Sequence, residues 1–212
     1  MKPEFRPPVP LDASRFPATR FFADRKEMIR GLAPRLPARP RVIEVGIGLG
    51  DFSQFILEAL SPAQFVAIDP FRMHELEWLW GRRTTEIFSG LSHEQFYRKR
   101  FSDQVGRGEM SVLCGTSWDM LASLSGSEFD LIYVDAGHDV ESVMKDLEAC
   151  IGCLAPKGVI VANDYTLYDP YLDVVYGVVQ AVNQFVRDRD FIVDGFALEP
   201  NMFCDIAISK RT

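Results

Sequence analysis

Three polar residues suited to metal or acid–base chemistry follow two apolar segments of the chain. Asp135 comes directly after the β-type run 131–134, and Asn163 and Asp164 come directly after the run 159–162. Ligands of an open α/β sheet bind beyond the carboxyl ends of its strands, and neighbouring strands lie about 4.8 Å apart, so we expect these side chains to converge. Two carboxylates and an amide oxygen suit an octahedral Mg²⁺, whereas zinc is disfavoured because no cysteine or histidine pair lies there. The pattern therefore predicts a magnesium site.

His138 lies three residues after Asp135, in the loop beyond the same predicted strand. A general base must lie within hydrogen-bond reach of the hydroxyl whose proton it takes, and an imidazole has a pKa near neutrality. We therefore predict that His138 and Asp135 are catalytic. The alternative is that His138 caps the following helix or bonds to the main chain. The other histidines, His74 and His93, are expected at the surface.

A second chemical signal is the glycine turn in the segment RVIEVGIGLGDFS, residues 41–53. Its apolar run ends in three alternating glycines: Gly46, Gly48 and Gly50. Glycine adopts positive φ and lets a ligand approach the main chain, so a strand, a glycine turn and a helix make room for a nucleotide-like ligand. A dinucleotide-binding turn would place its third glycine at position 51, where this chain has Asp51.

These motifs lie in a chain whose apolar segments alternate between strand and helix periodicity from residue 42 onward. The alternation predicts a doubly wound α/β fold with a mostly parallel, seven-stranded sheet and helices on both faces. The predicted strands are 42–45, 65–68, 111–114, 131–134, 159–162, 191–198 and 202–209. The last two strands are expected to form a C-terminal antiparallel hairpin.

The first 40 residues differ from the rest of the chain. Eight of the 13 prolines precede residue 41, and residues 1–41 hold ten Lys and Arg against four Asp and Glu. We predict a Pro/Arg-rich arm over 1–40 with one short helix, capped by Asp24, followed by the main domain over 41–212. The arm is either a solvated leader or a subunit contact, and a subunit contact would give a homodimer.

Charge and hydropathy exclude several classes of partner. The net charge is −7 although the arm is basic, so the main domain is strongly acidic, which argues against a nucleic-acid substrate. No apolar run approaches the roughly 18 residues of a membrane span, and the N-terminus has no apolar secretory core. We expect a cytoplasmic protein with neither a membrane nor a nucleic-acid partner.

The motif Glu44-x-Gly-x-Gly-x-Gly, with a carboxylate inside the strand end, resembles the first motif of class I S-adenosylmethionine (SAM)-dependent methyltransferases. The Asp135-x-x-His138 loop and the Asn163-Asp164 pair are similar to the macrocin-type sugar O-methyltransferases and, more distantly, to the catechol-type O-methyltransferases. In both groups residues after the fourth and fifth strands bind a divalent metal, which in turn binds the hydroxyl oxygens of the substrate. The sugar enzymes tend to have two aspartates after the fifth strand, whereas the first of the pair is Asn163 here.

The resemblance implies a SAM-dependent O-methyltransferase that acts on a small hydroxylated molecule, a sugar or a secondary metabolite, with help from Mg²⁺. It implies a set of residues that contact SAM: Glu44, Gly46, Gly48, Gly50, Asp69, Gly115, Thr116 and Ser117. Asp69 would accept from the ribose hydroxyls, and 115–117 would meet the adenine edge. Asp69 and Ser117 also have structural alternatives, as a strand-ending carboxylate and a helix N-cap. The stretch 71–109 would be a lid whose aromatic residues wall the acceptor pocket, unless they are simply core.

Three other functions stay open at this point. An N-methyltransferase of the same fold would need no metal and would hold an amine at 163–165, although the two prolines typical of such motifs are absent. A nicotinamide-dependent oxidoreductase is disfavoured by Asp51. A catalytically silent SAM-fold module would act through a partner at the arm, but such a module is expected to lose its site residues, and here they are intact.

Overall fold

The computed structural model describes residues 7–211, and its centre is an eight-stranded sheet. The strands of the described chain are β1 (Arg20–Phe22), β2 (Arg41–Val45), β3 (Gln64–Asp69), β4 (Trp78–Leu79), β5 (Arg82–Arg83), β6 (Met110–Cys114), β7 (Phe129–Val134), β8 (Leu154–Ala162), β9 (Tyr168–Asp169), β10 (Val174–Val175), β11 (Phe191–Ala197) and β12 (Asp205–Lys210). The α-helices are α1 (Arg25–Leu32), α2 (Asp51–Leu60), α3 (Thr84–Phe88), α4 (His93–Arg100), α5 (Ser102–Gly106), α6 (Ser117–Ser123), α7 (Val140–Ile151) and α8 (Val178–Asp188).

The order of the large sheet is β6-β3-β2-β7-β8-β12-β11-β1. β12 pairs antiparallel with both of its neighbours, and the other neighbouring strands pair parallel. The predicted α/β fold with a C-terminal antiparallel strand pair is therefore present. Two small hairpins, β4–β5 and β9–β10, lie outside this sheet.

The sheet has one strand more than the seven predicted, because the N-terminal arm adds β1. β1 pairs parallel with β11, and Phe22 lies opposite Ala197. Two glycines make room for the Phe22 ring, since a Cβ at Gly31 or at Gly195 would lie within 3 Å of that ring. Arg15 also binds Asp190 at 2.7 Å. The arm therefore packs on its own sheet, and the homodimer stays a prediction.

Helices cover both faces of the sheet because alternate residues of each buried strand point to opposite sides. In β2, Val42 belongs to the core under α1, α2 and α4, whereas Ile43 and Val45 belong to the core under α6, α7 and α8. Asp24 accepts from the main-chain N–H of Glu27 and caps α1, as predicted. Each fully buried large apolar side chain stabilises this arrangement by roughly 1.5–3 kcal/mol. Across residues 7–211, none of the helices has the length and apolarity needed to cross a bilayer.

Candidate active site

The carboxyl ends of β2, β3, β6 and β7 surround a cavity of about 710 Å³, called here the donor cavity. Six of the residues predicted from the sequence line it: Gly46, Gly48, Asp69, Thr116, Ser117 and Asp135. Glu44, Gly50 and Gly115 lie behind this lining. The fold thus gathers residues from four separate segments at one edge of the sheet, as an open α/β sheet does for its ligands.

The three glycines of the turn have different roles. A Cβ at Gly46 would lie 1.7 Å from the main-chain oxygen of Asp135, and a Cβ at Gly50 would lie 2.7 Å from the Phe101 ring. These two glycines are required by packing. A Cβ at Gly48 would meet nothing within 4 Å, so Gly48, with a φ of +49°, is the glycine that leaves the main chain open to a ligand.

Glu44 is buried beneath the glycine turn rather than in the wall of the donor cavity. Its carboxyl accepts from the hydroxyl of Ser53 on α2, and Ser53 in turn accepts from Tyr97 on α4 at 2.9 Å. Burial raises the pKa of Glu44 to about 8, against the opposing effect of the Ser53 hydrogen bond. Glu44 therefore joins β2 to two helices and positions the turn from below.

Asp69 and His93 hold the turn from the other side. The carboxylate of Asp69 accepts from the N–H groups of Ile47 (3.1 Å) and Phe71 (2.6 Å), while burial raises its pKa. The expectation that His93 lies at the surface is wrong: the side chain is fully buried, and its Nε2 lies 2.6 Å from the oxygen of Gly48. The apolar partners of His93 on its own helix face, at positions 97 and 101, were the sequence signal that a buried histidine was present.

The segment after β6 forms the opposite wall of the donor cavity. Thr116 is the N-cap of α6, with extended backbone, and its hydroxyl donates to Asp119 at 2.5 Å. Ser117 is the first residue of that helix, so the alternative in which Ser117 is the N-cap is wrong. Ser117 lines the cavity beside Thr116. Gly115 packs on Met120, which a Cβ would approach to 2.9 Å.

Asp135, which lines the donor cavity, forms a cluster with His138 and Asp164, called here the charged cluster. Nε2 of His138 lies 3.7 Å from Asp135 and 3.4 Å from Asp164. This nitrogen is buried and has no direct hydrogen bond among the described residues. The ring of His138 stacks on Tyr176, with centroids 4.5 Å apart and planes at 5°. Since Asp139 caps α7, the alternative in which His138 is the cap is wrong.

The electrostatics of the charged cluster suit proton transfer. Burial acts to lower the pKa of His138, but the carboxylates of Asp135 and Asp164 outweigh it and raise that pKa. Burial also raises the pKa of Asp164 to about 6, with the charge of Asp135 acting in the same direction. Groups that titrate near neutral pH exchange protons efficiently under physiological conditions.

Two residues of this region were missed by the sequence reasoning. Arg25, the first residue of α1, lies 3.9 Å from Asp135 and donates to the hydroxyl of Tyr133 at 3.3 Å. Asp205, on β12, accepts from Tyr133 and from the amide of Asn163, each at 2.8 Å, and burial raises its pKa to about 7. Both come from segments distant in sequence, and no motif marks them.

The predicted metal ligands Asp135, Asn163 and Asp164 are neighbours in space, but the two carboxylates face nitrogen groups and the Asn163 amide donates to Asp205. His138 faces both carboxylates, Arg25 faces Asp135, and the Asn163 amide is bonded to Asp205. Within residues 7–211, no group of three or more His, Cys, Asp and Glu side chains is arranged to hold a metal ion. The magnesium prediction gains no support from this arrangement.

A second cavity of about 400 Å³ adjoins the charged cluster and is called here the outer cavity. Its lining residues are Arg25, Trp80, Asn163, Asp164, Tyr171, Glu199, Asn201 and Phe203. Trp80, at the tip of the β4–β5 hairpin, lines both cavities and is 69% exposed. Of the predicted lid 71–109, only the part up to Trp80 lines a cavity. Tyr97 and Phe101 belong to the core, which is the alternative left open above.

A family model described as a methyltransferase domain matches residues 43–165, more than half of the chain. The chain belongs to this methyltransferase domain family. The matched span contains the glycine turn, Asp69, the segment after β6 and the charged cluster. The prediction of a SAM-dependent methyltransferase enzyme is therefore confirmed. The match gives no support to the oxidoreductase alternative.

Solved structures of methyltransferases share the fold of this methyltransferase. The SAH-bound methyltransferase PaMTH1 of Podospora anserina is 19% identical, with a TM-score of 0.58 over 87% of this chain and 76% of that one. An O-methyltransferase family protein of Burkholderia thailandensis is 15% identical, with a TM-score of 0.60 over 88% of this chain and 55% of that one, so this chain spans just over half its length. An rRNA methylase of Streptococcus thermophilus is 14% identical, with a TM-score of 0.57 over 88% and 96%. A comparison with curated proteins gives no match.

Proposed function

We propose that this methyltransferase transfers the methyl group of SAM to a hydroxyl oxygen of a small molecule, either a sugar or a secondary metabolite. One observation carries the proposal. The charged cluster connects the two cavities, because Asp135 lines the donor cavity, Asp164 lines the outer cavity, and His138 faces both of these carboxylates. A cofactor on one side and an acceptor on the other would therefore meet beside groups able to take a proton.

In this proposal the donor cavity binds SAM. The open main chain at Gly48 would lie against the amino-acid part of the cofactor. Each oxygen of Asp69 accepts one main-chain N–H and keeps a second lone pair, which is directed to the ribose hydroxyls. Thr116 and Ser117 would meet the adenine edge. Bound SAM supplies an activated methyl group, so the protein has to align the reacting atoms and exclude water.

The proton of the acceptor hydroxyl goes to the charged cluster. As the oxygen bonds to the methyl carbon, the carbon–sulfur bond breaks, and the products are a methyl ether and S-adenosylhomocysteine (SAH). His138 in its neutral form takes the proton, and Asp135 and Asp164 stabilise the resulting imidazolium. The distances of 3.4 and 3.7 Å are longer than hydrogen bonds, and such contacts often shorten only when the substrate binds.

No step of this mechanism passes through a metal ion. Asp135, Asn163 and Asp164 would hold Mg²⁺ in the metal-assisted form of the hypothesis, but the carboxylate oxygens of Asp135 and Asp164 face Arg25 and His138, and the Asn163 amide donates to Asp205. A cation beside those positive groups would have to displace them. N-methylation is the second candidate, because Asp164 and Asn163 also suit an amine acceptor.

The experiment has two stages. SAM and SAH are first titrated into the protein by calorimetry, and SAM is then supplied with a panel of hydroxylated and amine acceptors, with and without EDTA. The proposal expects SAH binding and methyl ethers whose rate is unchanged by EDTA. Methylated amines would favour the N-methyltransferase, and activation by Mg²⁺ would restore the metal-assisted form. SAH binding with no product from any acceptor would favour a silent module.

A further inference from the structure

The outer cavity has a chemical character of its own, which bears on the acceptor. It opens beside the two surface hairpins and the turn between β11 and β12. Three aromatic rings line it: Trp80, Tyr171 and Phe203. The rings of Tyr171 and Phe203 lie parallel within 20°, with centroids 6.0 Å apart, and Trp80 and Tyr171 are 69% and 78% exposed. Large rings left uncovered around one cavity are typical of a ligand-binding wall.

The charges that line the outer cavity have an acidic excess. Asp164 and Glu199 contribute two carboxylates, and Arg25 is the single cation among the described residues of the lining. The guanidinium of Arg25 already has partners of its own, with the Tyr133 hydroxyl at 3.3 Å, Asp135 at 3.9 Å and the Phe52 ring at 4.6 Å. The cavity therefore disfavours an anionic ligand and favours a neutral or positive one.

Of the two carboxylates that line the outer cavity, Asp164 belongs to the charged cluster, whereas Glu199 takes no part in proton transfer and is free to bind a ligand. One of its oxygens accepts from the main-chain N–H of Arg25 at 2.6 Å, which fixes the side chain at the cavity wall. Glu199 thus lines the same cavity as Tyr171 and Phe203, and an ammonium group bound there gains from both a carboxylate and aromatic faces.

We propose that the outer cavity binds a hydroxylated acceptor that also carries an amine, with the ammonium group at Glu199 and the aromatic rings and the reacting hydroxyl at Asp164. The proposal rests on the proposed function and adds the charge of the substrate to it. Anionic acceptors, such as hydroxylated carboxylic acids, are disfavoured by the same charges.

Three matched phenols test the proposal on the SAH-saturated protein: tyramine, 4-ethylphenol and 3-(4-hydroxyphenyl)propionate, which differ mainly in the charge of the side group. Dissociation constants are measured by NMR titration for the wild type, for Glu199→Gln and for Glu77→Gln. The amide oxygen that Glu199→Gln introduces can still accept from the Arg25 N–H, so the substitution removes charge but keeps the main-chain bond. Glu77 lies in the β4–β5 hairpin region, is exposed and lines neither cavity.

The proposal expects tyramine to bind at least about fivefold more tightly than 4-ethylphenol, and the propionate most weakly. Glu199→Gln should remove the preference for tyramine, and Glu77→Gln should keep it. Equal affinities, a preference for the propionate, or no binding of any phenol would overturn the proposal. A failure of the proposed function is distinguished separately, because it would show as absent SAH binding in the calorimetric titration, or as methylated amines or no product in the acceptor panel.

Discussion

The main chain of Gly46 lies directly against the carbonyl group of Asp135, where a Cβ would fall 1.7 Å from the oxygen. The contact fixes the glycine turn to the strand end that carries the charged cluster. The glycine turn and the charged cluster therefore fix each other's position. A substitution in the turn is expected to change the rate of methyl transfer as well as SAM binding.

Gly46→Ala and Gly48→Ala form a matched pair of substitutions, since both residues have positive φ, +76° and +49°. At Gly46 the methyl group collides with main-chain atoms, and we expect a destabilisation of about 3 kcal/mol or more. At Gly48 the methyl group enters open space, so only about 1–2 kcal/mol of backbone strain is expected, with weaker SAH binding. Thermal unfolding and calorimetry measure the two effects. Equal destabilisation by both substitutions would contradict the assigned roles.

Stability should depend on pH through Glu44. The pKa of Glu44 is about 8 in the folded protein against an ordinary value of 4.5, so the folded state binds the proton more tightly. This contribution to stability is complete below pH about 4.5 and is lost as the pH rises to 8. Glu44→Gln should reduce the change in the free energy of unfolding over this pH range by a few kcal/mol.

Chemical denaturation at a series of pH values measures the Glu44 effect. Glu58→Gln, on the exposed side of α2, is the matched control and should leave the curve unchanged. Asp205, whose pKa is about 7 against an ordinary value of 3.8, gives a comparable slope in the same direction up to about pH 7, which both variants retain. If Glu44→Gln and Glu58→Gln gave the same dependence of stability on pH, the buried carboxyl of Glu44 would not be its source.

His138→Asn should lower kcat by roughly 10²- to 10⁴-fold without changing SAH affinity, because the variant loses the group that takes the proton. In the wild type, kcat/KM should rise with pH through a pKa above the ordinary histidine value, since Asp135 and Asp164 raise it. The variant should lack this rise. Tyr176→Phe keeps the ring stacked on His138 and serves as control. A normal pH profile in His138→Asn would exclude His138 as the base.

Trp80→Ala should raise the acceptor KM about tenfold, the loss expected when one aromatic contact of roughly 1.4 kcal/mol disappears. Trp78, two residues earlier, packs under the guanidinium of Arg83 at 4.9 Å and lines neither cavity. Trp78→Ala should therefore leave the acceptor KM unchanged. Steady-state kinetics with an acceptor that the enzyme methylates gives the KM of each variant. An equal rise of KM in both variants would mean that the hairpin as a whole, rather than the Trp80 ring, contributes to acceptor binding.

The periodicity of the sequence was sufficient to predict the strands of the large sheet from residue 42 onward, because their apolar runs are continuous and their turns carry glycine or proline. It did not predict the two small hairpins, β4–β5 and β9–β10, whose strands have two residues each. Nor did it predict β1, which is held by its parallel pairing with β11 and by the packing of the Phe22 ring against Gly31 and Gly195. The same limit applies to the site. Local motifs indicated Gly48, Asp69, Asp135 and His138. By contrast, Arg25 and Asp205 reach the site only through the order of strands and helices in space.

The most direct test of the account is a calorimetric titration of SAH into the wild-type protein and into Asp69→Asn. The account expects one site of micromolar affinity in the wild type, and binding at least about tenfold weaker in the variant, where the carboxylate that would accept from the ribose hydroxyls loses its charge. Absence of SAH binding to the wild type, or equal affinity in both proteins, would contradict the assignment of the donor cavity.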